Sequence, residues 1–366
     1  MNKTLFYITY QSFPANTANS LQTILNIKYF VKNNVNVNLF FPMREKTSSD
    51  DFNKFVEKYG VREKFIIKGL KHKLPFGKLK ILEKLFFHIS HLIWSFYAVR
   101  YVRNKFNIPD IFFTRSDWIF YFLSRAKCDV IFECHQYSKL RRFLLSKSMK
   151  NLNSRILFLN EYLYKDYKNK NEIKNRYIIL QNGVDDELFS ESSEKVKNSI
   201  IFTGNLKRFN EPRNIEFIIK NIKDDFTLKI IGASKYEKEK LDQINMEKKN
   251  IEIIERLNYQ ETIQEIKKAE FGLLLNSESN LHSTRYTSPL KYFEYLASGL
   301  KILSEDYDSI KALPYSENIH FYKSDDNLSF KNALEKAGRQ EYQKKVNIKD
   351  ISLDSRIKKI ISFCKI

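Results

Sequence analysis

The stretch SPLKYFEYLASG, residues 288–299, places two charged side chains where a helix by itself would not want them. Ser288 reads as a cap, Pro289 as the first helical residue and Gly299 as the left-handed stop. Lys291 then falls in the first turn, where the dipole and the unbonded N–H groups are already positive, and Glu294 falls on the stripe expected to be buried. An anion resting on the helix start would answer both oddities. Backbone N–H groups and Lys291 would hold a phosphate, and Glu294, one turn deeper, would accept hydrogen bonds from two adjacent hydroxyls such as a ribose offers. Phosphate and ribose together describe a nucleotide. A solvated lysine beside a glutamate at the edge of the stripe is the plainer alternative, and this helix alone leaves both open.

A second candidate is His135, which ends the apolar run DVIFECH (129–135). Carboxyl ends of strands are where ligands gather in doubly wound sheets; a satisfied core histidine is the competing reading. Two acidic runs are weighed against metal chemistry. EDYD (305–308) reads as a solvated loop and VDDE (184–187), after an Asn-Gly turn, as a solvated or hinge segment, so no metal site is expected.

The elements that must position these residues alternate between strand and helix. KTLFYITY, the helical stretch LQTILNIKYFVKNN and VNVNLFFP form a βαβ unit and imply a parallel sheet. Further strands are expected at 110–115, 129–135, 155–160 and 177–183. The polar segment 181–198 suits an interdomain linker, and the pattern restarts with strands at 199–204, 227–232, 251–254, 271–275 and 301–304, with helices near 213–222, 235–245, 259–269 and 289–298. The fold class expected is α/β, two Rossmann-like doubly wound domains. The segment 79–104 has helical spacing and an aromatic-rich face, which suits packing on the sheet or contact with a membrane interface.

The 366 residues suffice for two domains. Three cysteines without metal-ligand spacing suggest a reducing compartment and no disulfides. No signal peptide and no apolar stretch of about 18 residues is found, so a cytoplasmic protein is expected. The net charge of +20 is uneven: +16 lies in residues 1–190, and 52–105 alone carry +10. Such a surface suits an anionic partner, although compositional bias toward lysine would produce the same count. No nucleic-acid-binding motif accompanies it, and neither a P-loop nor a GxGxxG is present. Nucleic acid is therefore not expected as a partner.

TSPLKYFEYLASGLKILSED, together with SIIFTGNL, ILQNGVDDELF and LDSRIKKIISF, resembles the retaining, GT-B-fold nucleotide-sugar glycosyltransferases of family four. The resemblance implies two facing domains with transfer in the cleft between them. An N-terminal acceptor-binding domain over 1–185 would be completed by a C-terminal helix at 351–366, and a donor-binding domain would span 186–350. It implies a nucleoside-diphosphate sugar as donor substrate, no cofactor, and a glycan or lipid-linked acceptor, with an anionic membrane surface nearby. By this likeness Glu294 holds the ribose. Ser288, Pro289, Leu290 and Lys291 meet the diphosphate, with Gly204, Asn205, Lys207, Arg208 and Arg213 of GNLKRFNEPR, and His135 lies near the transferred sugar. Asn16 and Thr17 occupy the acceptor/phosphate loop. The chain departs from the family where an arginine would follow Gly204 (Asn205), where the first glutamate of an E-x7-E pair would stand (Tyr286), and where the N-terminal loop would carry paired glycines (Asn16, Thr17). A sugar-nucleotide epimerase and a non-catalytic basic adaptor are the alternatives on the same fold.

Overall fold

Segments such as TLFYI, VIFEC and AEFGLL are buried along nearly their whole length, the mark of parallel strands covered by helices on both faces. The computed structural model describes residues 3–72, 74, 83–168, 170–208, 211–244, 250–340 and 346–365, without the side chains of 83, 84 and 208. Its chain divides into two units, Met1–Leu180 with Arg356–Ile366, and Gln181–Ser355.

The first unit runs β1 (Thr4–Ile8), α1 (Ala18–Lys32), β2 (Asn36–Met43), α2 (Phe52–Tyr59), β3 (Ile66–Lys71), α3 (Glu83–Lys105), β4 (Ile111–Thr114), α4 (Asp117–Arg125), β5 (Val130–Cys134), α5 (Lys139–Ser148), β6 (Ser154–Phe158), α6 (Glu161–Lys165) and β7 (Tyr177–Ile179). Its seven strands are ordered β3-β2-β1-β4-β5-β6-β7, all parallel. Leu5 of β1 sits between Val37 of β2 and Ile111 of β4. The chain winds outward to β3 and returns past β1 to β4, which creates a switch point beyond the carboxyl ends of those two strands.

The second unit runs β8 (Val196–Thr203), the short hairpin β9 (Lys207–Arg208) and β10 (Glu211–Pro212), α7 (Ile215–Asn221), β11 (Thr227–Ala233), α8 (Lys235–Ile244), β12 (Ile251–Glu255), α9 (Tyr259–Lys268), β13 (Ala269–Leu274), α10 (Leu290–Ala297), β14 (Lys301–Glu305), α11 (Asp308–Lys311), β15 (Ile319–Tyr322) and α12 (Asn327–Arg339); α13 (Leu353–Cys364) follows. The main sheet is ordered β12-β11-β8-β13-β14-β15, again wholly parallel. Alternation along the strands divides the core between its faces. Phe202, Ile230, Leu273 and Leu303 join one buried cluster; Ile201, Ile231, Leu274 and Ile302 join the other, which also takes Tyr292, Phe293, Tyr295 and Leu296 of α10. Gly272 permits this packing, because a Cβ there would lie 2.5 Å from the Tyr295 ring.

Two doubly wound Rossmann-like sheets are thus present, as the strand and helix pattern expects. Several local expectations change. Segment 181–198 is no free linker: Asn182, Val184, Asp185 and Phe189 are buried within the second unit, and β8 already begins at Val196. Val184 N–H donates to Ile351 O at 2.9 Å, and Leu353 N–H donates to Val184 O at 2.9 Å. Gly183 sits where a Cβ would be 2.7 Å from Ile351 O. VDDE is therefore solvated only at Asp186 and Glu187. The helix expected over 213–222 is shorter, Ile215–Asn221, because Arg213 N–H is drawn back to Leu206 O at 2.8 Å, across the base of the hairpin. β3 and β15 were not anticipated; both are edge strands, half-buried along much of their length, and their apolar signal is correspondingly weak. Residues 79–82 lie outside the described residues; α3 takes up the remainder of that expected helix.

Candidate functional site

In the second unit, the residues singled out by sequence gather at the switch point beyond β8 and β13. β8 ends at Thr203, and Gly204 turns the chain with φ +106, which an L side chain rarely adopts. Lys291 extends from the first turn of α10 to donate from Nζ to Thr203 O, with the ammonium 4.3 Å from the Phe202 ring centroid. A Cβ on Gly204 would lie 3.2 Å from that nitrogen. The Arg213 guanidinium lies 5.8 Å from the same ring and donates from Nη1 to Leu275 O at 3.0 Å. Burial pushes Arg213 down to about 10, so it stays charged at neutral pH. Its Nε is buried without a hydrogen-bond partner among the described residues. Two cations thus converge on one aromatic ring.

The start of α10 differs in detail from expectation. Pro289, at ψ 131, is the N-cap rather than the first helical residue, and no side chain caps the helix. Ser288 does not cap, because its hydroxyl accepts from Asn182 N–H at 3.0 Å while its carbonyl accepts from Asn182 Nδ2. The expected stop is present: Gly299 is left-handed with φ +70, and Leu300 N–H donates to Tyr295 O at 3.0 Å. Leu290 is half-buried at the helix start.

Glu294 is buried on the inner face of α10, as its position on the stripe predicts. Burial pushes its carboxyl up to about 7, opposed by the charge of Lys291 and a hydrogen bond from Tyr259. At neutral pH it is therefore divided between its two protonation states. An arriving pair of hydroxyls would add donors and favour the ionised one.

The hairpin loop distributes its predicted residues unevenly. Asn205, standing in place of the expected arginine, accepts a hydrogen bond from Arg256 Nη2, so a third cation reaches this loop from beyond β12. Nothing in the local sequence around Arg256 marks it. Lys207 points into solvent from β9, and the Arg208 side chain lies outside the described residues. Glu211 ties the hairpin to the segment after β13, accepting from Ser279 Oγ at 2.7 Å and from Ser277 Oγ. Tyr286 is buried.

EDYD is only partly the solvated loop that was expected. Glu305 is buried, accepting from Asn276 N–H at 3.1 Å and Ser324 Oγ at 2.9 Å, and burial raises its carboxyl above the usual range. Strand pairing carries β14 one residue further inward than the run of acidic letters suggests, up to Tyr322 opposite Glu305. Asp306 and Asp308 remain at the surface, near Lys311 and Arg285. Among the described residues no group of three or more His, Cys, Asp or Glu side chains is placed to hold a metal ion.

In the first unit, His135 follows β5 and Arg115 follows β4. Arg115 Nη2 donates to His135 Nδ1 at 2.9 Å, and His135 Nε2 lies 3.4 Å from Glu133 Oε2. Glu133 is wholly buried one residue before the end of β5. Arg356 of α13 donates to its Oε1, and Arg115 Nε lies 3.3 Å from its Oε2. Burial alone would raise Glu133, yet Arg356 and Arg115 hold it well below the usual carboxylate range. Burial, then Arg115, pushes His135 down to about 4. His135 is neither a bare core histidine nor fully open; 21 % of its side chain is exposed.

A second polar group occupies the same edge of that sheet. The Tyr10 hydroxyl lies 3.0 Å from His72 Nε2 and 2.8 Å from Ser90 Oγ, while its ring stacks on His91 at 4.3 Å. Arg141 Nε donates to Asp117 at 3.3 Å beside it. Asn16 is exposed, and Thr17 serves as the N-cap of α1, accepting from Ser20 N–H at 3.1 Å in a capping box. A local structural role accounts for Thr17 without a ligand.

Residues 211–360 match a family model described as glycosyl transferase-like. No curated protein sequence matches the chain. Among solved structures, a glycosyltransferase from Rickettsia africae is similar at 11% identity with a TM-score of 0.68, covering 100% of this chain and 98% of its own. Sucrose-phosphate synthase from Thermosynechococcus elongatus follows at 11% identity and TM-score 0.67, covering 99% and 98%. The catalytic domain of Starch Synthase IV from Arabidopsis thaliana, bound to ADP and acarbose, is similar at 10% identity and TM-score 0.65, covering 100% and 99%. At these identities the likeness shows the shared fold along the whole chain.

Proposed function

We propose that the protein is a glycosyltransferase that moves a sugar from a nucleoside-diphosphate sugar to a glycan or lipid-linked acceptor, with retention and without a metal, as in the family-four enzymes it resembles. The observation that carries this reading is the convergence of Lys291 and Arg213 on Phe202 beside the uncapped start of α10, with the buried Glu294 one turn inward. In this assignment the two cations and the helix start stabilise the negative charge that builds on the diphosphate as the sugar leaves. Gly204 lets the backbone come close, and Glu294 accepts from the ribose. The first unit takes the acceptor at the carboxyl edge of its sheet, where Tyr10, His72, Ser90 and His135 collect.

Thermal-shift measurement with UDP-, GDP-, ADP- and dTDP-sugars tests the donor half, since a ligand that binds only the folded state raises its stability. One class of nucleotide should stabilise the wild type and fail to stabilise Glu294→Ala; stabilisation by none of them overturns the reading. Product anomeric configuration tests retention, and activity that persists in chelator tests metal independence. An epimerase would convert the sugar nucleotide with no acceptor present.

The acceptor side of the proposal includes an anionic membrane surface at the cytoplasmic face, consistent with a role in cell-surface polysaccharide synthesis. No helix among the described residues is long and apolar enough to cross a membrane. α3 buries Trp94, Ala98, Val99 and Val102 yet leaves Leu85, Ile89, Phe96, Tyr97 and Tyr101 exposed, with Arg100, Arg103 and Lys105 exposed on the same helix. Such a combination suits the boundary between headgroups and acyl chains. Flotation with anionic vesicles should carry the protein, and equal recovery with neutral vesicles would remove the electrostatic part.

A further inference from the structure

Arg115, Glu133 and His135 close a contact loop that Arg356 enters from the C-terminal helix, and its hydrogen-bonding logic is determined. A guanidinium only donates. Arg115 Nη2 lies 2.9 Å from His135 Nδ1, so Nδ1 presents its lone pair and the ring proton sits on Nε2. That proton faces Glu133 Oε2 across 3.4 Å, too long for a well-formed bond. Both Nε2 and Oε2 are buried without a hydrogen-bond partner among the described residues. Glu133 stays ionised there because Arg356 occupies its other oxygen. Arg356 is itself oriented by Asn26 Oδ1, which accepts from Nη1 at 3.3 Å. Arg115 is fixed in turn by Gln22 Oε1, at 2.9 Å from Nη2.

We propose that Arg356 and Glu133 are positioning residues for His135: by neutralising Glu133 from behind, Arg356 keeps the imidazole a neutral Nε2–H donor rather than a proton acceptor. The inference rests on the reading that His135 lies near the transferred sugar. Without Arg356, the Glu133 charge would face His135 with one counter-ion fewer. The imidazole would then gain a proton more readily, and its Nε2–H would be drawn onto Glu133, moving the ring from the place that Arg115 fixes for it. His135 thus contributes a neutral ring held in one place, and no base chemistry.

Imidazole NMR of the full chain, with His135 assigned among the six histidines by comparison with His135→Gln, tests this. In the wild type the nitrogen shifts should report the Nε2–H tautomer, and His135 should not titrate above about pH 5. Arg356→Gln should raise its midpoint by about one pH unit or more, and Arg356→Lys, which keeps the charge, should restore the low value. Transfer by Arg356→Gln should lose about tenfold in kcat with donor KM little changed. An Nδ1–H tautomer or an ordinary midpoint in the wild type overturns the proposal, and does so even if the Gln variant fails to fold. A chain that shows the tautomer and the midpoint shift but transfers no sugar from any donor would keep the positioning role and sink the transferase reading. One that transfers while His135 titrates normally would do the reverse.

Discussion

Glu133 and Glu294 are both buried acids near the carboxyl edge of a Rossmann-like sheet, and the two units treat them in opposite ways. Glu133 has two guanidiniums and an imidazole around it and is held well below the usual carboxylate range. Glu294 has one phenol and a lysine one turn away, and burial lifts it to about 7. The first is an ionic network whose charges hold one another in place, even though Glu133 Oε2 lacks a hydrogen bond among the described residues. The second has no guanidinium against it, so its charge is weakly compensated until a ligand adds partners. Burial alone therefore does not mark a binding residue. The balance of opposite charge facing the buried group does so better.

This contrast fails most visibly if the first network is not structural. Glu133→Ala leaves Arg115 and Arg356 buried with no counter-charge, and should cost about 3–5 kcal/mol of unfolding free energy by denaturant titration. A loss below about 1 kcal/mol would mean that water already shields the network. Lys291→Ala should instead leave stability nearly unchanged and lower kcat/KM for transfer by about 10²–10³-fold, the size seen when one charge-stabilising group is removed. Activity within about threefold of wild type would move the diphosphate away from α10.

Glu294→Gln sharpens the comparison through pH. The folded-state value of about 7 stands above the ordinary 4.5, so the folded protein binds the extra proton. The carboxyl is tolerated below about pH 4.5, and its ionisation costs stability as pH rises through 7. At pH 8 the variant should therefore be more stable than wild type by up to about 3 kcal/mol, an advantage that vanishes at pH 4. Nucleotide affinity should show the opposite dependence in the wild type, weakening by up to about tenfold per unit below pH 7, because the bound form requires the ionised acid. In the Gln variant that slope should disappear. The smallest effect belongs to Thr17→Ala, which should cost about 1 kcal/mol by loss of the cap and leave kcat/KM unchanged; a large kinetic loss would restore Thr17 to a binding role.

Much of the second unit was legible because its signals are local. Lys291 in a first turn, Glu294 on an inner stripe and Gly299 after the last turn each announce themselves within a dozen residues, and each stands in that position in the fold. Arg213 is singled out by the resemblance of GNLKRFNEPR, and the structure places its guanidinium 5.8 Å from the Phe202 ring. Arg256 was missed because the residue that recruits it, Asn205, lies 51 positions away. Glu305 was misread as solvated because a run of acidic letters hides the burial of the first.

Strand and helix alternation, and with it two parallel sheets, follow from the residue pattern alone, since an apolar period is imprinted along the chain. So does the anomaly of a charged helix start. Which charges neutralise one another was decided only by the tertiary structure. Arg356 and Glu133 are 223 residues apart, and Asn26 and Arg356 are 330 apart. No local period encodes such a pairing; it exists because winding of the sheet brings β5, α1 and the last helix into one dry interior, where an unpaired charge could not remain.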